Sequence, residues 1–242
     1  MRVGAARPSD CHTCGVETLD YGSFRDLTVA EFGEKLASSD PVPGGGSASA
    51  VAASLAASLV AMVATLSQGR PKYADHAALH ELAVPAAKKL AKDLLDLADE
   101  DATAYAACAF ALKLPREAFA DKEFRDQQVK ATALVAAEVP MRSVERCREL
   151  LVLAEALAGR SNMNASSDLR VAALLTEAAG KGAAENVLVN LPLIGSSEWT
   201  QAAEKRVRLL LEEISSLKDR VHDIVMSGEL RDPLDALPEV AA

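Results

Sequence analysis

The chain has 242 residues, 50% of them hydrophobic and 25% charged, a composition that excludes collagen-like and intrinsically disordered proteins. Aromatic residues make up only 4% of the chain, so its core must consist of Ala, Leu and Val, which favour helices over sheets. The net charge of −9 argues against binding to nucleic acid or to an anionic membrane surface.

Residues 1–24 are polar and lack periodicity, which predicts a flexible N-terminal tail. No secretory signal opens the chain, and its 4 cysteines do not form a disulfide framework, so a cytoplasmic location is expected. Cys11 and Cys14 resemble half of a zinc site, but the second ligand pair of a structural zinc is missing. We therefore expect no metal and interpret the pair as incidental, with a metal shared between subunits or a redox pair as alternatives.

The first predicted helix is short, with Thr28 as N-cap and Glu31 at the capping-box position. Pro41 and Pro43 then force an extended backbone. Residues 41–69 contain no charged side chain, and we expect a helix over residues 47–66. Its serines and its high Ala content favour the central helix of a bundle over a membrane span.

Four further stretches show helical periodicity, at about residues 73–113, 116–157, 168–190 and 198–226. Pro85 and Pro140 predict bends within the first two of these. Residues 187–194 (VLVNLPLI) are ambiguous between helix and strand. The predicted fold is an all-α bundle of long helices over residues 25–228, followed by a C-terminal tail at 229–242.

Three consecutive glycines, Gly44, Gly45 and Gly46, directly precede the uncharged helix. Glycine lets the backbone approach a ligand closely, and a helix N-terminus offers unpaired N–H groups. The segment lacks the Lys-Ser/Thr of a phosphate-binding loop and the preceding strand of a dinucleotide site. It favours a site for an anion or a polarised carbonyl, with a tightly packed corner as the alternative.

Acidic and amide side chains mark the later helices. Asp99 and Asp101 point in nearly opposite directions, whereas Asp101 shares a face with Tyr105 and with apolar residues. Partial burial would raise the pKa of Asp101 toward a useful acid–base range, with a solvated acidic patch as the alternative. Asn186 and Asn190 lie one turn apart on an apolar face and need hydrogen bonds from a ligand or from a neighbouring carbonyl.

Asp168 is interpreted either as a functional carboxylate or as a first-turn residue beside capping serines. It lies eighteen residues before Asn186, which places the two roughly 27 Å apart along one helix. His76 and His80 share a helix face, but no third metal ligand is evident.

Five ordered segments resemble the formiminotransferase-cyclodeaminase C-terminal family. They are residues 41–48 (PVPGGGSA), 69–73 (GRPKY), 101–105 (DATAY), 162–168 (NMNASSD) and 186–191 (NVLVNL). The resemblance covers about residues 27–226. It implies an all-helical homodimer that acts on one-carbon units carried by tetrahydrofolate, with or without a polyglutamate tail.

The resemblance implies one of two activities. A cyclodeaminase closes 5-formimidoyltetrahydrofolate to the 5,10-methenyl form with loss of ammonia, and a cyclohydrolase hydrolyses the methenyl form to 10-formyltetrahydrofolate. No segment matches the formiminotransferase domain of bifunctional relatives, so that activity is expected to be absent. Both reactions are acid–base chemistry, and no cofactor is expected beyond the folate substrate.

The matched segments supply the candidate site residues, and the chemistry of each side chain suggests its role. The expected proton carriers are Asp101 and Asp168, with Lys72 as an alternative. The expected substrate-binding residues are Pro43, Gly44, Gly45, Gly46, Ser47, Tyr105, Asn162, Asn186 and Asn190.

The competing interpretation is a non-catalytic helical scaffold or regulatory protein that retains the fold. A structure with the glycines, Asp101, Asp168 and Asn186 in one cleft would favour the enzyme, and their dispersal would favour the scaffold.

Overall fold

The computed structural model describes residues 22–239, and this part of the chain contains helices and no β-strand. The α-helices are α1 (Val29–Leu36), α2 (Gly45–Thr65), α3 (Ala77–Leu112), α4 (Phe119–Leu157), α5 (Ser166–Ile194) and α6 (Glu198–Ser227). Short 3₁₀ turns lie at Phe24–Asp26, Pro71–His76 and Met163–Ala165. The predicted all-α class is confirmed, and the ambiguous residues 187–194 are the last two turns of α5.

The uncharged helix α2 packs antiparallel to α3 through small residues. The Ser47 hydroxyl donates to the Ala98 carbonyl at 3.1 Å, and two turns later the Ser54 hydroxyl donates to the Ala91 carbonyl at 2.8 Å. Each step toward the C-terminus of α2 is matched by an equal step toward the N-terminus of α3. The two bonds therefore fix the register of this helix pair.

The opposite side of α2 packs against α5, which is also antiparallel to it. A Cβ at Gly182 would overlap the Ser49 hydroxyl, and a Cβ at Gly45 would lie 3.7 Å from the Asn186 amide nitrogen. Glycines at these positions let the two backbones approach closely. As predicted, α2 is a central helix, held between α3 and α5.

Helices α4 and α6 complete the core. Helix α4 packs on α3 and α5, and α6 covers α4 and α5. Leu150 and Leu151 of α4 are fully buried, as is Ile214 of α6. The amphipathic stripe predicted for α6 is therefore its core-facing side.

The segment before α1 is anchored to α3. Phe24 is buried in a small cluster with Val42 and Ala98. The carboxylate of Asp99 accepts the Ser23 hydroxyl at 2.6 Å and the Phe24 N–H at 2.8 Å. Residues 22–24, assigned to the tail from sequence, thus belong to the packed fold, whereas Cys11 and Cys14 lie outside the described residues.

The segment after α6 lies against the end of α4. Arg231 donates its N–H to the Gly159 carbonyl at 2.9 Å, and its guanidinium donates to the Glu155 carbonyl at 3.0 Å. Gly159 has a φ of +72°, and a Cβ there would lie 2.9 Å from Cγ of Arg231. Residues 229–239, within the predicted C-terminal tail, therefore follow a defined path over the α4–α5 turn.

The bounds of α2 and α5 differ from those predicted. Helix α2 starts at Gly45 rather than at residue 47, so Gly44 is its N-cap and the next two glycines form its first turn. Helix α5 runs from Ser166 to Ile194 and continues through Pro192. The buried side chain of Ile194 holds this final turn in place although Pro192 provides no N–H.

Within residues 22–239, α2 is the one helix long and apolar enough to cross a membrane, and 50% of its most apolar stretch is buried in the fold. The exposed side of this helix and its C-cap carries the apolar side chains of Leu55, Met62 and Leu66 beside two exposed hydroxyl groups, Ser58 and Thr65.

Candidate active site

The Asp101 carboxylate lies directly against the first turn of α2. A Cβ at Gly46 would lie 2.6 Å from Cγ of Asp101, closer than two such carbon atoms can approach. Only glycine at position 46 lets the carboxylate sit there. The glycine segment and the acidic helix, which the sequence could only suggest separately, therefore meet in one place.

Ser47 supplies the hydrogen bonds of this contact. Its hydroxyl lies 3.2 Å from Oδ2 of Asp101, and its backbone N–H also favours the charged carboxylate. Burial raises the pKa of Asp101, and the two Ser47 groups oppose that effect by stabilising the charged form. The predicted partial burial of Asp101 is confirmed, and a carboxyl whose pKa burial raises is a better proton acceptor than an exposed one.

Asn186 completes this group, which we call the Asp101 cluster: Gly45, Gly46, Ser47, Asp101 and Asn186. Its amide nitrogen donates to the Gly182 carbonyl at 2.9 Å and lies beside Gly45. Gly45 is exposed, whereas Asp101 and Asn186 are half-buried. The cluster therefore opens to solvent at the start of α2.

The Asn190 amide donates hydrogen bonds to two backbone carbonyls of the protein. Its amide nitrogen donates to the Asn186 carbonyl at 2.8 Å and to the Ala136 carbonyl at 3.0 Å. Pro140 has no N–H to bond the carbonyl four residues before it, which is that of Ala136. Asn190 thus satisfies the carbonyl that the α4 proline leaves free, in agreement with the neighbouring-carbonyl alternative of the sequence analysis.

A second polar group lies at the opposite end of α2, and we call it the Asn162 cluster: Ser67, Tyr73, His80, Arg160 and Asn162. The Asn162 N–H donates to the Ser67 hydroxyl at 2.8 Å. The Tyr73 hydroxyl accepts the N–H of residue 163 at 3.0 Å, and Nε2 of His80 lies 2.9 Å from the Arg160 carbonyl. These bonds tie the buried polar turn before α5 to the end of α2 and to α3, and the Ser161 hydroxyl adds a bond to the Leu157 carbonyl at 2.9 Å.

Lys72 and Asp168 lie near the Asn162 cluster. Lys72 is exposed, with Nζ 5.6 Å from the centre of the Tyr73 ring. Asp168 is half-buried in the first turn of α5, where neither Ser166 nor Ser167 caps the helix.

The 21 residues of α2 separate the two clusters by about 30 Å at a rise of about 1.5 Å per residue. One copy of the chain therefore does not bring Asp101 together with Lys72 or Asp168. The expectation of a single cleft is met by the glycines, Asp101 and Asn186, and it is wrong for Asp168.

The other predicted binding residues lie around the Asp101 cluster. Pro43 is buried and Gly44 is half-buried as the α2 N-cap. Tyr105, one turn beyond Asp101, is 48% exposed. Residues 22–239 contain no group of three His, Cys, Asp or Glu side chains that could hold a metal.

Sequence reasoning missed two roles at this site. It treated Ser47 as a ligand contact, whereas its side chain is fully buried against Asp101 and Ala98. It also gave Asp99 no role beyond pointing away from Asp101, whereas Asp99 anchors the N-terminal segment. The role of Ser47 could have been found from its spacing to Ser54, because residues seven apart share a helix face.

Comparison with known proteins identifies the family. Residues 28–209 match the family model described as Formiminotransferase-cyclodeaminase. The chain belongs to the formiminotransferase-cyclodeaminase family. Within it, the chain is 32% identical to a methenyltetrahydrofolate cyclohydrolase from Methylorubrum extorquens over 200 residues, which cover 83% of this chain and 96% of that protein.

Two further relatives are named as cyclodeaminases. A formimidoyltransferase-cyclodeaminase from Rattus norvegicus is 30% identical over 79% of this chain, which spans only 35% of the rat protein. The crystal structure of formiminotetrahydrofolate cyclodeaminase from Thermotoga maritima superposes with a TM-score of 0.77 at 27% identity, covering 84% of this chain and 98% of that one.

The Gly46–Asp101 contact predicts that Gly46→Ala destabilises the protein. The added methyl group would overlap the carboxylate, so we expect the free energy of unfolding to fall by about 1–3 kcal/mol, as for overpacked sites. Urea unfolding monitored by circular dichroism measures this.

The matched control is Gly33→Ala, because a Cβ at this α1 position meets no atom within 4 Å. In an Asp101→Ala background the Gly46→Ala substitution should cost much less, since the overlapping carboxylate is gone. An equal cost in both backgrounds would contradict the contact.

The buried histidine pair predicts acid sensitivity. Burial is the main cause that lowers the pKa of His76 and of His80, so the unfolded chain takes up protons first as the pH falls below about 6.5. The free energy of unfolding should be constant above about pH 7. Below that it should decrease by up to about 1.4 kcal/mol per pH unit for each proton.

Urea unfolding at closely spaced pH values between 7.5 and 5.5 measures this slope. His80→Gln keeps a donor for the Arg160 carbonyl without a titrating ring, so it should reduce the slope, whereas exposed His222→Gln should leave it unchanged. Identical slopes in all three proteins would show that the histidine pair is not responsible.

Proposed function

We propose that the chain acts on 5,10-methenyltetrahydrofolate and hydrolyses it to 10-formyltetrahydrofolate. The observation that carries the proposal is the half-buried Asp101 carboxyl with a raised pKa at an open helix N-terminus. The Methylorubrum extorquens cyclohydrolase, which this chain matches over 96% of that protein's length, supports the choice of reaction.

The chemistry requires one well-placed proton carrier. The methenyl carbon between N5 and N10 is already electrophilic, so a base need only remove a proton from the attacking water. Asp101 takes one proton of the water as the tetrahedral carbon forms and returns it to N5 as the bond between carbon and N5 breaks. The remaining hydroxyl proton of the intermediate leaves to solvent as the formyl C=O bond forms, so the reaction releases one proton overall. The amide of Asn186, beside Gly45, is the proposed hydrogen-bond partner of the pterin edge.

Closure of 5-formimidoyltetrahydrofolate is the second candidate, and it is favoured by the likeness to the Thermotoga maritima cyclodeaminase. In that reaction N10 attacks the formimidoyl carbon, and Asp101 carries the N10 proton to the departing ammonia. Both reactions pass through a tetrahedral carbon next to the same nitrogens. We propose that neither needs a cofactor beyond the folate, since each step is a proton transfer or a nucleophilic addition.

We also propose that the active form is a cytoplasmic homodimer. The exposed stripe of α2 (Leu55, Met62 and Leu66) is apolar, and α2 carries no charged residue, so the stripe suits contact with a second copy. A two-fold axis across α2 makes the two copies of this helix antiparallel. The start of one α2 then faces the end of the other, and Asp101 approaches the partner's Asn162 cluster.

The proposed reaction is tested by supplying each folate to the purified protein and following methenyl absorbance. A cyclohydrolase removes the absorbance of added methenyltetrahydrofolate, and a cyclodeaminase generates it from the formimidoyl form. Asp101→Asn should lower kcat by about 100-fold, the scale for losing a general acid or base, with a much smaller change in KM.

The control is Glu100→Gln, an adjacent exposed carboxylate whose partner is Arg142. It removes the same charge from the same helix turn and should leave kcat nearly unchanged. No change in absorbance with either folate would reject the proposed function.

The proposed dimer predicts that Leu55→Glu separates the copies. Light scattering should give twice the chain mass of 25.4 kDa for the native protein and the single mass for the variant. Exposed Leu209→Glu on α6 is the control and should remain dimeric. A native protein with the single mass, or one that floats with lipid vesicles, would contradict the proposal.

Mixing two inactive variants tests whether the site is shared. In the proposed shared site, Asp101 comes from one copy and Lys72, the alternative proton carrier, comes from the other, so each variant disables both sites of its own dimer. Subunit exchange should recover about a quarter of native activity, because half of the dimers are mixed and each of these has one intact site of two. No recovery after subunit exchange would place the whole site within one copy.

A further inference from the structure

Ser47 is the hydroxyl group closest to the proposed proton carrier, and its position is unusually constrained. Its side chain is 0% exposed, and its oxygen lies 3.2 Å from Oδ2 of Asp101 and 3.1 Å from the Ala98 carbonyl. A serine hydroxyl has one proton and can donate to only one of these acceptors at a time. The direction of that proton must therefore depend on whether Asp101 is charged.

We propose that Ser47 is a positioning residue that sets the protonation state of Asp101 during the folate reaction. The proposal rests on the proposed function. When Asp101 is ionised, the Ser47 hydroxyl donates to the carboxylate. When Asp101 holds the proton, its O–H donates to the serine oxygen and the hydroxyl turns to the Ala98 carbonyl. Ser47 keeps its own proton throughout, and no buried polar group is left unpaired in either state.

The described residues around Asp101 include no charged partner that could take this role in place of Ser47. Helix α2 carries no ionisable side chain. On α3, Asp99 is held by Ser23 and the Phe24 N–H, and Glu100 pairs with Arg142 at the surface. From α5 the facing group is the neutral amide of Asn186. The hydrogen bonds of Ser47, rather than an ion pair, therefore oppose the effect of burial on the pKa of Asp101.

The chain contains a matched control for this bond. Ser54 lies two turns further along α2, is buried, and donates its hydroxyl to the Ala91 carbonyl at 2.8 Å. It makes the same type of bond between α2 and α3, and its hydroxyl has no hydrogen bond to a carboxylate among the described residues. Ser54→Ala thus removes a helix–helix bond and leaves Asp101 untouched.

The experiment combines two titrations of Ser47→Ala, Ser47→Cys and Ser54→Ala. The first follows the carboxyl carbon of Asp101 by NMR in ligand-free protein labelled with carbon-13 aspartate, with the signal assigned by Asp101→Asn. The second is the dependence of kcat/KM on pH with methenyltetrahydrofolate. Thermal melts confirm that each variant is folded.

Ser47→Ala should move both the NMR midpoint and the acid limb of the rate profile upward by about one pH unit, because a carboxylate loses a charge-assisted hydrogen bond. Ser47→Cys, with a weaker donor, should give a smaller upward move. Ser54→Ala should leave both midpoints unchanged. At high pH, where Asp101 is ionised in every protein, Ser47→Ala should approach the native rate.

An unchanged NMR midpoint in Ser47→Ala would overturn the proposal, as would a rate that falls equally at every pH. The same move in Ser54→Ala would also overturn it, because general loosening of the helix pair would then be the cause. If no folate is turned over, the proposed function fails separately, and the NMR titration still decides whether Ser47 controls Asp101.

Discussion

The close packing of α2 between two antiparallel helices determines where every candidate side chain lies. Serine-to-carbonyl bonds at Ser47 and Ser54 fix α2 against α3, and the contact of Gly182 with Ser49 fixes it against α5. Small residues on both sides allow these short approaches. Because both registers are fixed, the start of α2 contacts Asp101 on one side and Asn186 on the other. This contact creates the candidate active site.

The backbone carbonyls explain why several polar residues are not ligand contacts. Pro140 leaves the Ala136 carbonyl without its helical partner, and Asn190 donates to it from α5. Arg231 similarly reaches the last carbonyls of α4 from a segment far along the chain. A buried amide or guanidinium in an all-helical protein must therefore be tested first against the helix ends and prolines nearby.

The sequence predicted the helices well because their apolar residues recur at helical spacing over many turns. It also placed Asp101 correctly on a half-buried face. It could not predict which helix covers that face, since periodicity identifies a side of a helix and not its neighbour. For this reason three features became visible only in the fold. They are the contact of Gly46 with Asp101, the anchoring role of Asp99 and the two hydrogen bonds that the Asn190 amide donates. The separation of Lys72 from Asp101 likewise depends on chain topology rather than on any local pattern.

The absence of charge along α2 has a consequence for how Asp101 responds to its solution. Its ionisation is governed by burial and by the dipoles of Ser47, whereas ion pairs such as Arg148–Glu213 lie at the surface. Dissolved ions screen exposed charges over about 10 Å at 0.1 M ionic strength but act weakly on short hydrogen bonds inside a fold. We therefore expect the proton affinity of Asp101 to change little with salt concentration, even in a chain with a net charge of −9.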